Sequence, residues 1–349
     1  MKKVLYINPI YIFGHVNFDK IHIKALEDAG CDVKLVMHRG IAQHLPYDEG
    51  KYALKIPPFF IPGPNASSFG IRVLLTLMML YIKVRVNVKS YDLVVFSTFE
   101  EMTTWLVPLC RHKFLISHGN VGEMRRPLKR FFTKRIAKSN AFIVFNDHMQ
   151  QRLESFGVKH SFVISHGCVP PYTKEESAAP LPVDTSGYEM VVFHPSASPD
   201  ARFLDMVTNN SRLHEFLERE KILLILRDKH GKHASGHNIA VITRFLETGE
   251  YRRLFLAADA VLIAYPEDFC YKVSGVSYEC VANAKKMLVR HIPAMEYCKG
   301  LCNYNPFFTD AESLIERLAF LKNHPEAACT ASPAALKPDY TEVLQYNWK

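Results

Sequence analysis

YRRLFLAADAVLIAYPEDFCYKVSGVSYECVANAKKMLVRHIP, residues 251–293, decides the fold. Ala258-Asp259-Ala260 opens an apolar strand that Tyr265-Pro266 closes. After a polar loop, Ser274-Gly275 begins a helix with Glu279 inside it. Lys285-Lys286-Met287-Leu288-Val289 supplies the next strand. Continuous apolar strands separated by a helix imply parallel pairing with both sheet faces covered.

The same rhythm runs outward in both directions. Towards the N-terminus lie NIAVITRF, KILLILRDK (221–229) and EMVVFHPSAS (189–198), each read as a strand; towards the C-terminus a helix is expected near Glu312–Asn323. The front half repeats it. KKVLYINPI is a strand, a loop carries Gly14-His15, Phe18 to Asp28 is a helix capped by Gly30, and CDVKLVM is the next strand. Further strands are expected at Tyr91–Thr98, Lys113–Gly119, Asn140–Asp147 and His160–Gly167. Between the halves, Pro170 to Gly187 is rich in Pro, Ser and charge and lacks apolar periodicity, which reads as a linker.

The expectation is therefore an α/β chain of two Rossmann-like domains, parallel sheets with helices on both faces, facing across a cleft. Residues 1–169 form the N-terminal domain, 170–187 the linker, 188–330 the C-terminal domain, and 331–349 a tail returning to the N-terminal domain. The 349 residues suit two domains of about 150 each. In such sheets, ligands gather at the carboxyl ends of the strands.

Composition narrows the setting. The eight cysteines show no paired-motif spacing, and the short run Val4–Ile7 after Lys2-Lys3 is unlike a signal peptide. Both point to free thiols in a cytoplasmic protein. The longest apolar run, Val73 to Ile82, is too short to span a bilayer and is expected to be a buried helix. Charge is uneven: residues 1–168 hold 23 lysines and arginines against 12 acidic residues, the remainder 20 against 23. An anionic partner is expected for the front half only.

Residues 251–293 resemble the donor-binding segment of GT-B glycosyltransferases, in particular the large retaining glycosyltransferase family 4. The resemblance covers the layout of nearly the whole chain, and its residue-level match is confined to this segment. It implies a nucleotide-sugar donor, UDP- or GDP-linked, held by Tyr271, Lys272, Ser274, Gly275 and Glu279. The chemistry agrees: a diphosphate needs positive potential and free N–H groups, which a helix N-terminus and a lysine supply. Glu279, just over one turn in, is placed for a ribose or sugar hydroxyl pair. A plain N-capped core helix would carry the same Ser-Gly. The family's Glu-x7-Glu pattern is broken, because Tyr271 stands eight residues before Glu279.

The resemblance also implies an Arg/Lys pair on the diphosphate. Arg227 and Lys229 end a strand where they would serve, with Arg202 as a competing candidate and the turn Pro195–Ser198 approaching the phosphates. His118 takes the role of the family histidine that contacts the donor sugar, and His118 and Glu279 are the candidate catalytic residues. Gly14 lines the loop after the first strand. His166-Gly167 is read as a structural hinge. The lack of any Asp-x-Asp implies a site with no metal and no cofactor beyond the donor.

Arg125, Arg126, Lys129, Arg130, Lys134, Arg135 and Lys138 interleave with Leu128, Phe131, Phe132 and Ile136. That pattern is a basic amphipathic helix, suited either to an anionic membrane surface or to packing on the core with a solvated basic face. No nucleic-acid fold is indicated. The expected function is sugar transfer to a glycan or lipid-linked acceptor, such as a surface polysaccharide precursor, by a cytoplasmic protein peripheral on the inner face of the membrane. Two alternatives stay open: a non-catalytic binding module of the same fold, and a sugar-nucleotide epimerase.

Overall fold

A computed structural model describes residues 1–63, 65–173, 180–196 and 200–348. Runs of Val, Leu, Ile and Phe that are apolar on both faces become parallel strands, because no side of such a strand tolerates water; they are covered in the middle of each sheet and less so at the two edges of the first. Seven form the first sheet: β1 (Lys3–Asn8), β2 (Asp32–His38), β3 (Tyr52–Ile56), β4 (Leu93–Phe96), β5 (Phe114–Ile116), β6 (Ala141–Val144) and β7 (Ser161–Val163). Six form the second: β8 (Met190–His194), β9 (Ile222–Arg227), β10 (Ile239–Ile242), β11 (Ala260–Ile263), β12 (Lys286–Arg290) and β13 (Phe307–Phe308).

The spatial orders are β3-β2-β1-β4-β5-β6-β7 and β10-β9-β8-β11-β12-β13, with every pairing parallel. Each sheet starts in its middle and reverses direction between its first and fourth strands, which is the doubly wound Rossmann order. The chain thus has the two-domain GT-B fold. β3 and β13, at sheet edges, are not among the expected strands: β3 is mostly half-buried and β13 is only two residues long.

The chain divides into two compact units. One comprises Met1–Gly167, Tyr271–Val273 and Lys337–Lys349; the other comprises Cys168–Cys270 and Ser274–Leu336. In the first, Tyr340 and Val343 of the returning tail are buried in the core around β1 and β4. The Tyr340 hydroxyl donates to His22 Nδ1 at 2.7 Å, since His22 Nε2 faces the His166 carbonyl, which can only accept. In the second, Tyr172, Leu181 and Val183, from the segment read as a linker, pack against the core; the middle of that segment, 174–179, lies outside the described residues.

One expectation fails. The apolar run Val73–Ile82 does form a helix, Ser68–Arg85, but it is not a buried one. Leu75, Met78, Met79 and Ile82 are buried and Ile71, Leu74 and Tyr81 pack against the core partly buried, while Val73, Leu77 and Leu80 stay 43%, 52% and 44% exposed. A single neighbouring layer covers one stripe of a helix, and nothing among the described residues covers the other. No described helix is long and apolar enough to cross a membrane.

Candidate functional site

In the second unit, β11 leads through a loop to the helix Gly275–Ala282, whose N-cap is Ser274. The cap is a closed knot of hydroxyls. Ser274 Oγ lies 3.0 Å from the Tyr265 hydroxyl, Ser274 N donates to the Tyr297 hydroxyl at 2.8 Å, and Ser277 Oγ donates to the Ser274 carbonyl at 2.7 Å. Ser274 is 1% exposed, so its hydroxyl is committed inside the protein. Gly275, the next residue, is exposed, and a ligand would meet its backbone first.

Glu279 lies one turn further on. It accepts a 2.6 Å hydrogen bond from the Tyr251 hydroxyl on the helix Thr248–Ala257, and a second from Tyr172. Burial holds its carboxyl above the usual range, with the two tyrosines and the Arg252 charge acting the other way. Burial beside Glu279 in turn drives the Tyr251 phenol well up. Glu279 is a carboxyl fixed in direction by two tyrosine hydroxyls.

Arg227 ends β9 and is 8% exposed, its Nη1 donating to the Pro195 carbonyl at 3.1 Å. Its Nε is buried with no partner. Next to it Asp228 is desolvated, which acts upward, but it accepts from the His233 ring at 2.8 Å and from the backbone N–H groups of His230, Lys232 and His233, which pins the loop after β9 and holds the acid down at about 2. Lys229 is exposed on that loop, and Arg202 is exposed at the start of the helix Ala201–Asn209. Of the expected turn at Pro195–Ser198, Ala197 and Ser198 lie outside the described residues. Arg290, at the end of β12, pairs with Asp200.

In the first unit the carboxyl ends of β1, β4 and β5 hold a different assembly. His118 Nε2 faces the Ser97 carbonyl at 3.0 Å. The carbonyl can only accept, so the neutral ring carries its proton on Nε2 and presents Nδ1 as an acceptor. The ring packs on His15 at 4.3 Å between centroids and edge-on to Phe18 at 4.5 Å. Burial and the neighbouring histidines push His118 well below the ordinary histidine range, and burial takes His15 and His166 to about 4. All three are neutral at pH 7. Beneath them Asp19, fully buried, accepts from Tyr6 at 2.9 Å, Asn8 at 2.6 Å and Ser97, tying β1 to β4.

Tyr271, Lys272 and Val273 group with this first unit. Tyr271 has φ +53°, and its ring lies against His148 and under the Arg152 guanidinium. Lys272 Cε passes 3.2 Å from where a Cβ on Gly119 would sit, so it reaches the residue next to His118. Gly14 is exposed with no protein atom near a Cβ built on it, so the protein's own packing does not demand glycine there. Gly167 is different: with φ +82°, a Cβ would lie 2.4 Å from Ile21 Cγ2.

The basic segment divides in two. Lys129 is spent on Glu100, at 2.9 Å, and Glu101, and Arg130 on the Met124 carbonyl at 3.1 Å. Arg125, Arg126, Lys134, Arg135 and Lys138 are exposed. Sequence reasoning missed Tyr172, Tyr251, Tyr265 and Tyr297, and the polar group around Asp19. A buried tyrosine needs a partner for its hydroxyl, which was the available signal, but these partners are long-range. Among the described residues no group of three or more His, Cys, Asp or Glu is placed to hold a metal ion.

No protein-family model and no curated protein matches the sequence. Solved structures do match over nearly the full length. A Listeria monocytogenes protein assigned as a UDP-N-acetylglucosamine 2-epimerase superposes with a TM-score of 0.63 at 12% identity, covering 98% of this chain and 94% of its own. The Anabaena protein HepE, solved with UDP and glucose, gives 0.57 at 15% identity over 99% and 98%. A Rickettsia africae glycosyltransferase gives 0.57 at 13% identity over 96% and 90%. At these identities the likeness is one of fold: GT-B glycosyltransferases and an epimerase share this chain's architecture.

Proposed function

We propose that the chain is a nucleotide-sugar-dependent glycosyltransferase whose second unit binds the donor. The observation that carries this is Glu279, held by Tyr251 and Tyr172 in a helix whose exposed first residue is Gly275. A diol-gripping carboxylate one turn behind an open helix start suits the two ends of a nucleoside diphosphate sugar. Arg227 and Lys229 supply positive charge for the diphosphate, and no metal is invoked. In the first unit, His118 offers Nδ1 to a substrate hydroxyl.

In the reaction an acceptor hydroxyl replaces the diphosphate at the anomeric carbon. The nucleoside diphosphate leaves with the bonding electron pair and takes the acceptor's proton. Basic side chains and the helix N-terminus lower the energy of the developing charge. The acceptor is a glycan or lipid-linked precursor, reached from the cytoplasmic side by a peripheral protein. Incubation with labelled UDP- and GDP-sugars and membranes tests this: labelled product that depends on Glu279 supports it. Absence of both turnover and thermal stabilisation by UDP or GDP would refute it.

A second reading, sugar-nucleotide epimerisation, is favoured by the 0.63 superposition on the Listeria protein and by Tyr271 standing where the transferase pattern has an acid. It predicts conversion of the donor sugar with no acceptor present.

A further inference from the structure

The helix Ser68–Arg85 is apolar on the side that faces solvent. Phe69, Val73, Leu77, Leu80 and Val84 fall within an arc of about 80° at 100° per residue, opposite the buried Leu75, Met78, Met79 and Ile82. They are 74%, 43%, 52%, 44% and 82% exposed. A helix that is apolar all round is ordinarily buried or in contact with lipid. This one runs for about 22 Å between Phe69 and Val84 without cover.

The face continues onto two neighbouring helices. Phe69, Val73 and Leu77 line an open apolar groove of about 260 Å³ with Met102 and Leu106 of the helix Glu101–Leu106. Trp105 of that helix, 44% exposed, lies against Phe132 of the helix Pro127–Ile136, which also exposes Leu128 and Phe131. The charge is one-sided. Lys83, Arg85, Arg125, Arg126, Lys134, Arg135 and Lys138 are exposed, and the Arg135 guanidinium sits over the Phe131 ring. Glu100 and Glu101 are balanced by Lys129 and Arg72, and Glu123 pairs with Arg126.

We propose that this three-helix face of the first unit docks on an anionic lipid bilayer, with Phe69, Val73, Leu77 and Trp105 entering the acyl boundary and the exposed arginines and lysines meeting the headgroups. It lies in the interface rather than spanning it. A second copy of the chain fits less well, because a two-fold contact would set this basic girdle against itself. The inference belongs to the first unit alone and does not rest on sugar transfer.

The test uses the full chain with Trp348→Phe, which leaves Trp105 as the only indole. Phosphatidylcholine vesicles with about 30 mol% phosphatidylglycerol should bind it and shift its emission to the blue, and phosphatidylcholine alone should not. V73E with L77E should abolish the shift. R125S with R135S should weaken partitioning about thirtyfold, at about 1 kcal/mol per basic residue. All four positions are exposed, so melting temperatures should hold. Absent or lipid-independent binding overturns the proposal, as does unchanged binding by either double variant. So does a dimer by light scattering that V73E with L77E dissolves while vesicles remain unbound.

Discussion

The two sheets share one strand order up to the sixth strand, yet their carboxyl ends hold opposite chemistry. In the first unit, neutral histidines pack against one another and against aromatic rings beside a buried aspartic acid. In the second, tyrosines orient a carboxylate beside a helix start, and an arginine ends the second strand. The scaffold sets where a ligand can go, while the side chains at that edge set what it can be. A histidine edge that accepts hydrogen bonds suits hydroxyls; an edge with a helix N-terminus and arginine suits phosphates.

Glu279→Ala should break this division most visibly. Loss of the diol grip should cut kcat/KM by about 10²- to 10³-fold while the melting temperature stays near that of the native chain; full activity in the variant would remove the donor assignment. Gly167→Ala should act on stability instead. A Cβ 2.4 Å from Ile21 at φ +82° should cost about 2–3 kcal/mol, read as a lowered denaturation midpoint.

Acid should separate the two ends next. His22 is fully buried and lowered to about 3, with His15 and His166 at about 4. These groups bind fewer protons folded than unfolded, so their stability contribution is complete above pH 6.5 and is lost as pH falls towards 4. Between pH 7 and pH 5, His22 alone should cost about 2 kcal/mol. Asp19, raised to about 6 by burial, acts in the opposite direction, its folded form holding the proton between about pH 4 and 6. Urea melts at pH 7 and 5 should show a net loss; equal midpoints would mean the histidines are not held neutral.

Tyr340→Phe is a smaller probe of the same cluster. It leaves His22 Nδ1 without its donor and should cost about 1–2 kcal/mol, loosening the returning tail. The smallest effect is expected from EDTA: transferase activity should be unchanged, and its loss would mean that a metal, not side chains, carries the diphosphate charge.

The α/β class and the two-domain architecture were legible because parallel strands are local apolar runs with helices between them; the spatial order of the strands was not. Position also marked the candidate residues: Glu279, Gly275, Arg227 and His118 follow strand ends that the sequence displays. Three things needed the folded chain. Tyr251 lies 28 residues from the carboxylate it holds, a distance no periodicity spans. Ser274 looks like an offered hydroxyl, but Tyr265 and Ser277 consume it. The run Val73–Ile82 has the composition of a core helix, and only its neighbours decide which stripe is covered. Local sequence specifies backbone form through steric preference and apolar pattern, whereas burial, pairing and protonation are properties of surroundings assembled from distant segments.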